Sequence, residues 1–306
     1  MSILAVGSVA FDTIRTPFGE AKDIVGGSLT YFALAASQFT DVNLVAVVGE
    51  DFSEKHMAVF ANKRIDLQGL QRAPGKTFRW GGEYSYNLND RETLFTELNV
   101  FESFQPKLPP SYRQADIVFL GNMHPSLQLS VLEQVESKRL VGMDSMNLWI
   151  ETTPSELREV LRHVDILKID DSEARQLADE YNLRKAAAKI HAMGPKTLVA
   201  TRGSHGSMLI ADDELFVAPA YPLEDEQDPT GAGDSFAGGF FGYLAQQASL
   251  DNGVLRQAMI FGNAMGSLCV EDFGTKRLQR LTHDEILDRY RSLKRLTHFE
   301  DLVPQE

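Results

Sequence analysis

The chain reads as an α/β protein, a layered fold in which helices cover a mostly parallel sheet. Two observations predict this. Short apolar runs alternate along the sequence with helical patterns, and several of those runs are apolar on both faces. A strand buried on both sides of a parallel sheet has no solvent face to carry polar residues, and its parallel partner is reached only through a helix-length crossover. A third observation is the one departure: from residue 77 to residue 104 the alternation gives way to aromatic and β-branched runs around a polar turn.

Strands are expected at residues 3–6, 42–48, 117–120, 140–143, 166–169, 197–200 and 207–210, each bounded by turn-forming residues. Helical patterns lie between them at 31–39, 52–62, 126–136, 155–162, 173–181, 183–193, 236–247 and 255–269. Start signals support these helices. Thr153-Pro154-Ser155-Glu156 offers a cap with Pro at the first helical position, and Asp171-Ser172-Glu173 offers an acidic first turn. The exceptional segment holds Thr77-Phe78-Arg79-Trp80-Gly81-Gly82-Glu83-Tyr84, a polar turn at Asn89-Asp90-Arg91-Glu92, and then Thr93-Leu94-Phe95-Thr96. That is a hairpin with a half-exposed face, expected to join residues 11–20 in a small sheet projecting from the main body. Residues 106–110 read as the connector back.

Composition bounds the function. A chain of 306 residues can bury a substantial core, and 43% hydrophobic with 24% charged content is ordinary for a globular protein. A formal net charge of −13 argues against a nucleic-acid or anionic-membrane surface, so neither partner is expected. No stretch approaches the roughly 18–20 apolar residues of a membrane span, and the start runs directly into a strand pattern without a basic leader. Cys269 is the single cysteine, which excludes a disulfide framework and a thiolate zinc site. A reducing cytoplasm is the expectation. His124, His191 and His205 lie too far apart to suggest a metal cluster.

The most informative stretch is Asp228-Pro229-Thr230-Gly231-Ala232-Gly233-Asp234-Ser235-Phe236. A turn-forming Asp-Pro leads into small residues that let the backbone approach a ligand closely, and a helix starting there presents unpaired N–H groups to negative charge. Asp234 then stands in the first turn beside that anion hole, and transfer of a phosphoryl group to a hydroxyl needs a base in that place. A dinucleotide fingerprint is excluded because Phe236 stands where its third Gly is required. A P-loop at residues 69–77 is excluded because five residues, not four, separate Gly69 from Gly75.

This stretch closely resembles the C-terminal signature of the ribokinase-like (PfkB) carbohydrate kinases. Other motifs follow in family order. Gly7-Ser8-Val9-Ala10-Phe11-Asp12 ends the first strand with an acid that can accept hydrogen bonds from two neighbouring hydroxyls, and the resemblance assigns Asp12 to the acceptor. Gly26-Gly27-Ser28 resembles the N-terminal Gly-Gly signature, against which the acceptor lies. Tyr31 stands where ribokinases have Asn; it either stacks on a ring of the acceptor or belongs to the core. Asp170-Asp171-Ser172-Glu173 resembles the family's Asn-x-x-Glu motif with Asp170 in place of Asn, and implies that Glu173 organises Mg2+ through water. The same residues suffice as a helix cap with an acidic first turn. Thr201-Arg202-Gly203-Ser204-His205-Gly206 resembles the nucleotide-binding turn, and is also a tight hairpin. Asn147, in Asp144-Ser145-Met146-Asn147, either faces the acceptor or braces the cleft. Asn263 falls in a segment resembling the adenine-side wall.

The resemblance therefore implies a ribokinase-like three-layer α/β/α sandwich, one domain over residues 1–306, with a β lid from about 11–20 and 77–104. It implies ATP and Mg2+ as cofactors, with K+ a candidate monovalent cation at Asp228 and Thr230. Asp234 is expected as base, with Gly231, Ala232 and Gly233 as the anion hole. Thr201, Gly203, Gly206, Asp170 and Asn263 are expected on the nucleotide side. Arg79 or Arg91 of the lid would meet the phosphates. The acceptor is a sugar, nucleoside or related polyol. The alternative is a catalytically silent sugar- or nucleotide-binding regulator on the same fold. A homodimer through the exposed lid edge is a further expectation.

Overall fold

A computed structural model describes residues 2–211 and 214–300. Its strands in chain order are β1 (Ser2–Val6), β2 (Ala10–Thr16), β3 (Gly19–Gly26), β4 (Asp41–Val48), β5 (Ile65–Arg72), β6 (Phe78–Tyr84), β7 (Arg91–Glu97), β8 (Ile117–Leu120), β9 (Leu140–Asp144), β10 (Ile166–Asp170), β11 (Thr197–Thr201), β12 (Ser207–Ala211) and β13 (Glu214–Ala218). Nine of them form the main sheet in the order β13-β12-β11-β10-β9-β8-β1-β4-β5. From β11 to β5 every pairing is parallel, whereas β12 pairs antiparallel with both its neighbours. All seven expected strands of this sheet are found. The two not foreseen, β5 and β13, are its edges. β5 begins Ile65-Asp66-Leu67-Gln68, alternating apolar and polar residues, so the criterion of two-sided apolarity passes over it; β13 is apolar on both faces, with Leu215 and Val217 on its exposed one, and was simply not singled out.

Side chains alternate between two cores. In β1, Leu4 and Val6 face one and Ile3 and Ala5 the other; in β10, Leu167 and Ile169 face the first and Ile166 the second. The first core is closed by helices Pro154–Leu161, Asp171–Ala178 and Leu183–His191 through Leu157, Val160, Ala174, Ala186 and Ile190. The second is closed by helices Ser28–Ala36, Ala232–Ala245 and Asn252–Cys269 through Phe32, Phe236, Phe240, Phe241 and Met259. The result is three layers. The expected helix at 52–62 is one α-turn, Glu54–Met57, followed by a 3-10 turn, Ala58–Phe60. Helix His283–Thr297 was not foreseen, although Thr282 and Glu285 form a capping box at its start.

Helix Ala232–Ala245 is the middle element of its layer. Two glycines let it sit close to its neighbours: a Cβ at Gly238 would lie 2.4 Å from the carbonyl oxygen of Phe32, and one at Gly239 would lie 2.8 Å from that of Phe261. Stacked rings beneath, Phe32 on Phe119 at 4.0 Å and Phe119 against Phe241 at 5.1 Å, tie this layer to β8.

The remaining strands form a second sheet, β3-β2-β6-β7, in which β2 pairs antiparallel with β3 and parallel with β6. The hairpin of residues 77–104 thus lies outside the main sheet, joined to the segment after β1. Its extent differs from expectation. β3 runs on to Gly26, and after Glu97 the chain turns into a 3-10 segment, Asn99–Phe101, where Phe101 stacks on Phe78 at 5.4 Å. Strand β7 is exposed along its whole length at the sheet's edge. Because β1 lies between β4 and β8, successive strands add to opposite sides of it, and the crevice of such a sheet opens at the strands' C-terminal ends. β1 feeds β2 at that end. No helix among the described residues is long and apolar enough to cross a membrane.

The close helix contact is testable. Gly238→Val forces its side chain onto the Phe32 carbonyl and the Ala35 methyl, and should cost about 1–3 kcal/mol, read as a lowered denaturation midpoint with an unchanged m-value.

Candidate active site

The site is built around the N-terminus of helix Ala232–Ala245. Gly231 is its cap, with φ of +76°, a left-handed conformation that disfavours any side chain. A Cβ there would also lie 2.2 Å from the ring of Tyr31. The approach to the helix is fixed by Asp228, whose buried carboxylate accepts from the N–H of Thr230 at 2.9 Å and of Gly274 at 2.8 Å. Burial raises its pKa, and those N–H bonds oppose the rise. Thr230 donates its hydroxyl to Tyr84 of β6 at 3.1 Å, which links the helix start to the second sheet. Within the cradle the N–H of Ala232 is committed to the carbonyl of Pro229 at 3.1 Å. This corrects the expected trio: the open donors are the first-turn N–H groups of Gly231 and Gly233.

Asp234 stands in that first turn, half-buried. Its pKa is pushed up to about 7, first by burial and then by the neighbouring Asp144, against the pull of Lys168 and Arg91. Desolvation thus outweighs the favourable field of the helix N-terminus. Lys168 was missed by the sequence reading. It is a buried ammonium, 6% exposed, paired with the equally buried Asp144 at 2.9 Å. It hides within an apolar strand run, and only the pairing of β9 with β10 brings it to Asp144. The two arginines of the second sheet are placed differently. Arg79 is engaged by Asp23 and, at 3.2 Å, by Asp51, whereas the guanidinium of Arg91 lies over the Trp80 ring at 5.3 Å and its charge acts on Asp234 and Tyr84.

On the acceptor side Asp12 is 3% exposed and accepts from the N–H of Gly27 at 3.2 Å. Gly26 is glycine of necessity, since a Cβ there would lie 1.9 Å from the Asp12 carboxylate. Burial raises Asp12 to about 7, with Asp228 and Asp234 adding to the rise. Tyr31 is 1% exposed, with its ring beneath Gly231, so it is a core residue that shapes the cradle and cannot stack on a ligand. Its hydroxyl is buried without a hydrogen-bond partner and feels the charges of Asp12 and Asp228.

Asp170 and Glu173 form a capping box at helix Asp171–Ala178. Asp170 accepts from the N–H of Ser172 at 2.9 Å, and Glu173 accepts from the N–H of Asp170 at 3.2 Å and of Asn147 at 3.3 Å. Burial and Asp144 raise Glu173 to about 7. Asn147 itself is exposed. Thr201 ends β11, and Gly203 and Gly206 shape the turn into the antiparallel β12. Asn263 lies on helix Asn252–Cys269. It is buried, accepts from Ser207 at 2.9 Å and donates to the Pro219 carbonyl at 2.9 Å, so its amide braces the wall beside β12. Among the described residues no group of three or more His, Cys, Asp or Glu side chains is gathered to hold a metal ion.

A glycine-bearing helix N-terminus with a carboxyl beside it, at the C-terminal edge of a mostly parallel sheet, is an anion-binding arrangement with an acid in reach, of the kind phosphoryl transfer requires. Comparison with known proteins agrees. A model described as pfkB family carbohydrate kinase matches residues 10–280, and the chain belongs to that family. It is a kinase of the sugar and nucleoside type. The cytidine kinase of Thermococcus kodakarensis is 30% identical over 247 residues, 78% of this chain and 87% of that protein. A nucleoside kinase of Methanothermobacter thermautotrophicus is 26% identical over 295 residues, 90% of this chain and 91% of its own. The solved nucleoside kinase of Methanocaldococcus jannaschii superposes with a TM-score of 0.76 at 20% identity, covering 95% of this chain and 98% of that one.

The raised carboxyls fix a pH dependence. Asp12 and Asp234 titrate near 7 when folded and near 3.8 when unfolded, so between those values the folded state holds protons that the unfolded state has lost. Stability must fall as pH rises through that window. The ligand-free protein should melt at a higher temperature at pH 5.5 than at pH 7.5; a melting temperature flat or rising over that range contradicts these assignments.

Proposed function

We propose that the protein transfers the γ-phosphoryl group of ATP to a hydroxyl of a nucleoside or sugar. The observation that carries the reading is the Asp234 carboxyl in the first turn of helix Ala232–Ala245, beside the open N–H groups of Gly231 and Gly233. Nucleosides come first as acceptors because the relatives reported above are named for cytidine and nucleosides. Sugars and other polyols remain in the panel, since Tyr31 offers no stacking face.

In this reading Asp12 accepts hydrogen bonds from acceptor hydroxyls against the Gly26–Gly27 backbone. Asp234 takes the proton of the attacking hydroxyl, and Gly231 and Gly233 donate to the phosphoryl oxygens. A carboxyl titrating near 7 suits that task, because it is ionised when needed and basic enough to accept the proton. Arg91 closes over the phosphates with the second sheet, which acts as a lid from residues 11–20 and 77–104 and excludes water. Thr201, Gly203, Gly206 and Asp170 line the nucleotide side. The direct ligand set for a divalent ion is sparse, which suits Mg2+ carried on phosphate oxygens and water, with Glu173 accepting from that water; the ion would supply neutralisation of phosphate charge. The buried negative charge of Asp228, with Thr230 and the unpartnered Tyr31 hydroxyl beside it, fits a monovalent cation such as K+. The exposed edge strand β7 supports a lid-to-lid homodimer, and the lone buried Cys269 suits a reducing cytoplasm.

The reading is tested with Mg-ATP and a panel of cytidine, other nucleosides, ribose, fructose and inositol, scoring ADP release and phosphorylated product. One acceptor class should give turnover, with kcat/KM rising with pH toward a plateau above about pH 7. Asp234→Asn keeps the shape and capping of the helix start but cannot take the proton, so kcat should fall by about 10²–10⁴-fold with little change in melting temperature. Asp12→Ala should raise the acceptor KM at nearly unchanged stability. A large thermal loss with unaltered kinetics would make Asp12 a fold residue instead.

A further inference from the structure

Lys168 and Asp144 form an ion pair whose place in the fold is not explained by folding. They are register partners on β10 and β9. Their neighbours Leu167, Ile169 and Met143 face the far core, so Lys168 and Asp144 face the layer that contains helix Ala232–Ala245. Around the pair that face is tightly filled: a Cβ at Gly142 would meet the Phe241 ring at 2.3 Å. The ammonium ends directly under the first turn of the helix, 3.0 Å from where a Gly233 Cβ would lie. A cation at a helix N-terminus opposes the helix dipole, and two charges taken out of water stabilise a fold less than apolar residues of the same volume.

An ammonium carries three N–H donors. The one hydrogen bond of Lys168 among the described residues goes to Asp144 Oδ2 at 2.9 Å, which leaves two donors free inside the protein. Burial pulls this ammonium toward neutrality, yet Asp144, Asp234 and Glu173 hold it above its ordinary value, so it is charged. A second positive group beside the cradle, buried and with donors to spare, is placed for an anion.

We propose that Lys168, oriented by Asp144, is a further catalytic residue that donates a hydrogen bond to an oxygen of the transferring phosphoryl group where that group passes Gly233. The inference rests on the kinase reading and adds a residue to it. In the step, the acceptor oxygen forms its bond to the γ-phosphorus as the bond from that phosphorus to the β–γ bridging oxygen breaks. The hydroxyl proton goes to Asp234, and ADP leaves with the bridging electron pair. Lys168 neither gains nor loses a proton; it balances charge that spreads over the phosphoryl oxygens in flight.

The test separates this role from bracing. Lys168→Met alone strands a buried carboxylate and should be strongly destabilised. The pair variant Lys168→Met/Asp144→Leu removes both charges and should recover most of the melting temperature, yet stay about 10²–10³-fold low in kcat with the acceptor KM little changed. As a readout apart from turnover, wild type should bind ADP with aluminium fluoride more tightly than the pair variant does, while both bind ADP alone equally. A pair variant that fails to fold, or that folds with wild-type kcat, overturns the assignment. If wild type itself transfers no phosphoryl group to any acceptor, the kinase reading has failed, and that result is distinct from an active wild type matched by its pair variant.

Discussion

The seating of one helix N-terminus over the C-terminal edge of the sheet organises everything else. Helix Ala232–Ala245 can take that place only because its start is nearly without side chains. Gly231 adopts a left-handed conformation against the Tyr31 ring, Gly233 leaves room for the Lys168 ammonium, and Gly238 and Gly239 admit the flanking helices to backbone distance. Asp228 fixes the entry by accepting N–H bonds from both Thr230 and Gly274, so a buried acid beside the cradle sets its approach.

The second constraint is charge. In the proposed reaction a chain of net charge −13 must bind a polyanionic phosphate chain, which calls for positive potential confined to one place. It does so with the helix end, Lys168 and Arg91, and surrounds them with Asp144, Glu173 and Asp234. Burial first, and neighbouring acids after it, raise Asp12, Glu173 and Asp234 to about 7, a cost in stability at neutral pH that ligand-borne cations would relieve. A site tuned in this way is less stable empty than filled, which suits a crevice roofed by a separate sheet.

Much of this was legible because the carrying residues are contiguous. The Gly-Ala-Gly-Asp run, the Gly26–Gly27 pair and the Asp12 position each declare a local geometry, and two-sided apolar runs declare the inner strands. What escaped was set by partners remote in sequence. Lys168 sits in an apolar strand and becomes a site residue only through β9; Tyr31 could have faced either way until the helix start closed over it. The edge strand β5 escaped because its exposed face carries polar residues. Asn263 and the Ala232 N–H looked available in sequence, and each proves to be engaged by a neighbour, Asn263 by Ser207 and Pro219 and Ala232 by Pro229. Helix His283–Thr297 was legible in its capping box and went unread.

The central claim is that the phosphoryl group in transfer lies at the start of helix Ala232–Ala245. A crystal structure with Mg2+, ADP, aluminium fluoride and the identified acceptor tests it most directly. The account predicts the fluoroaluminate within hydrogen-bonding distance of the Gly231 and Gly233 N–H groups, with the acceptor hydroxyl on the Asp234 carboxylate. A fluoroaluminate bound elsewhere, or an acceptor hydroxyl turned away from Asp234, would contradict it.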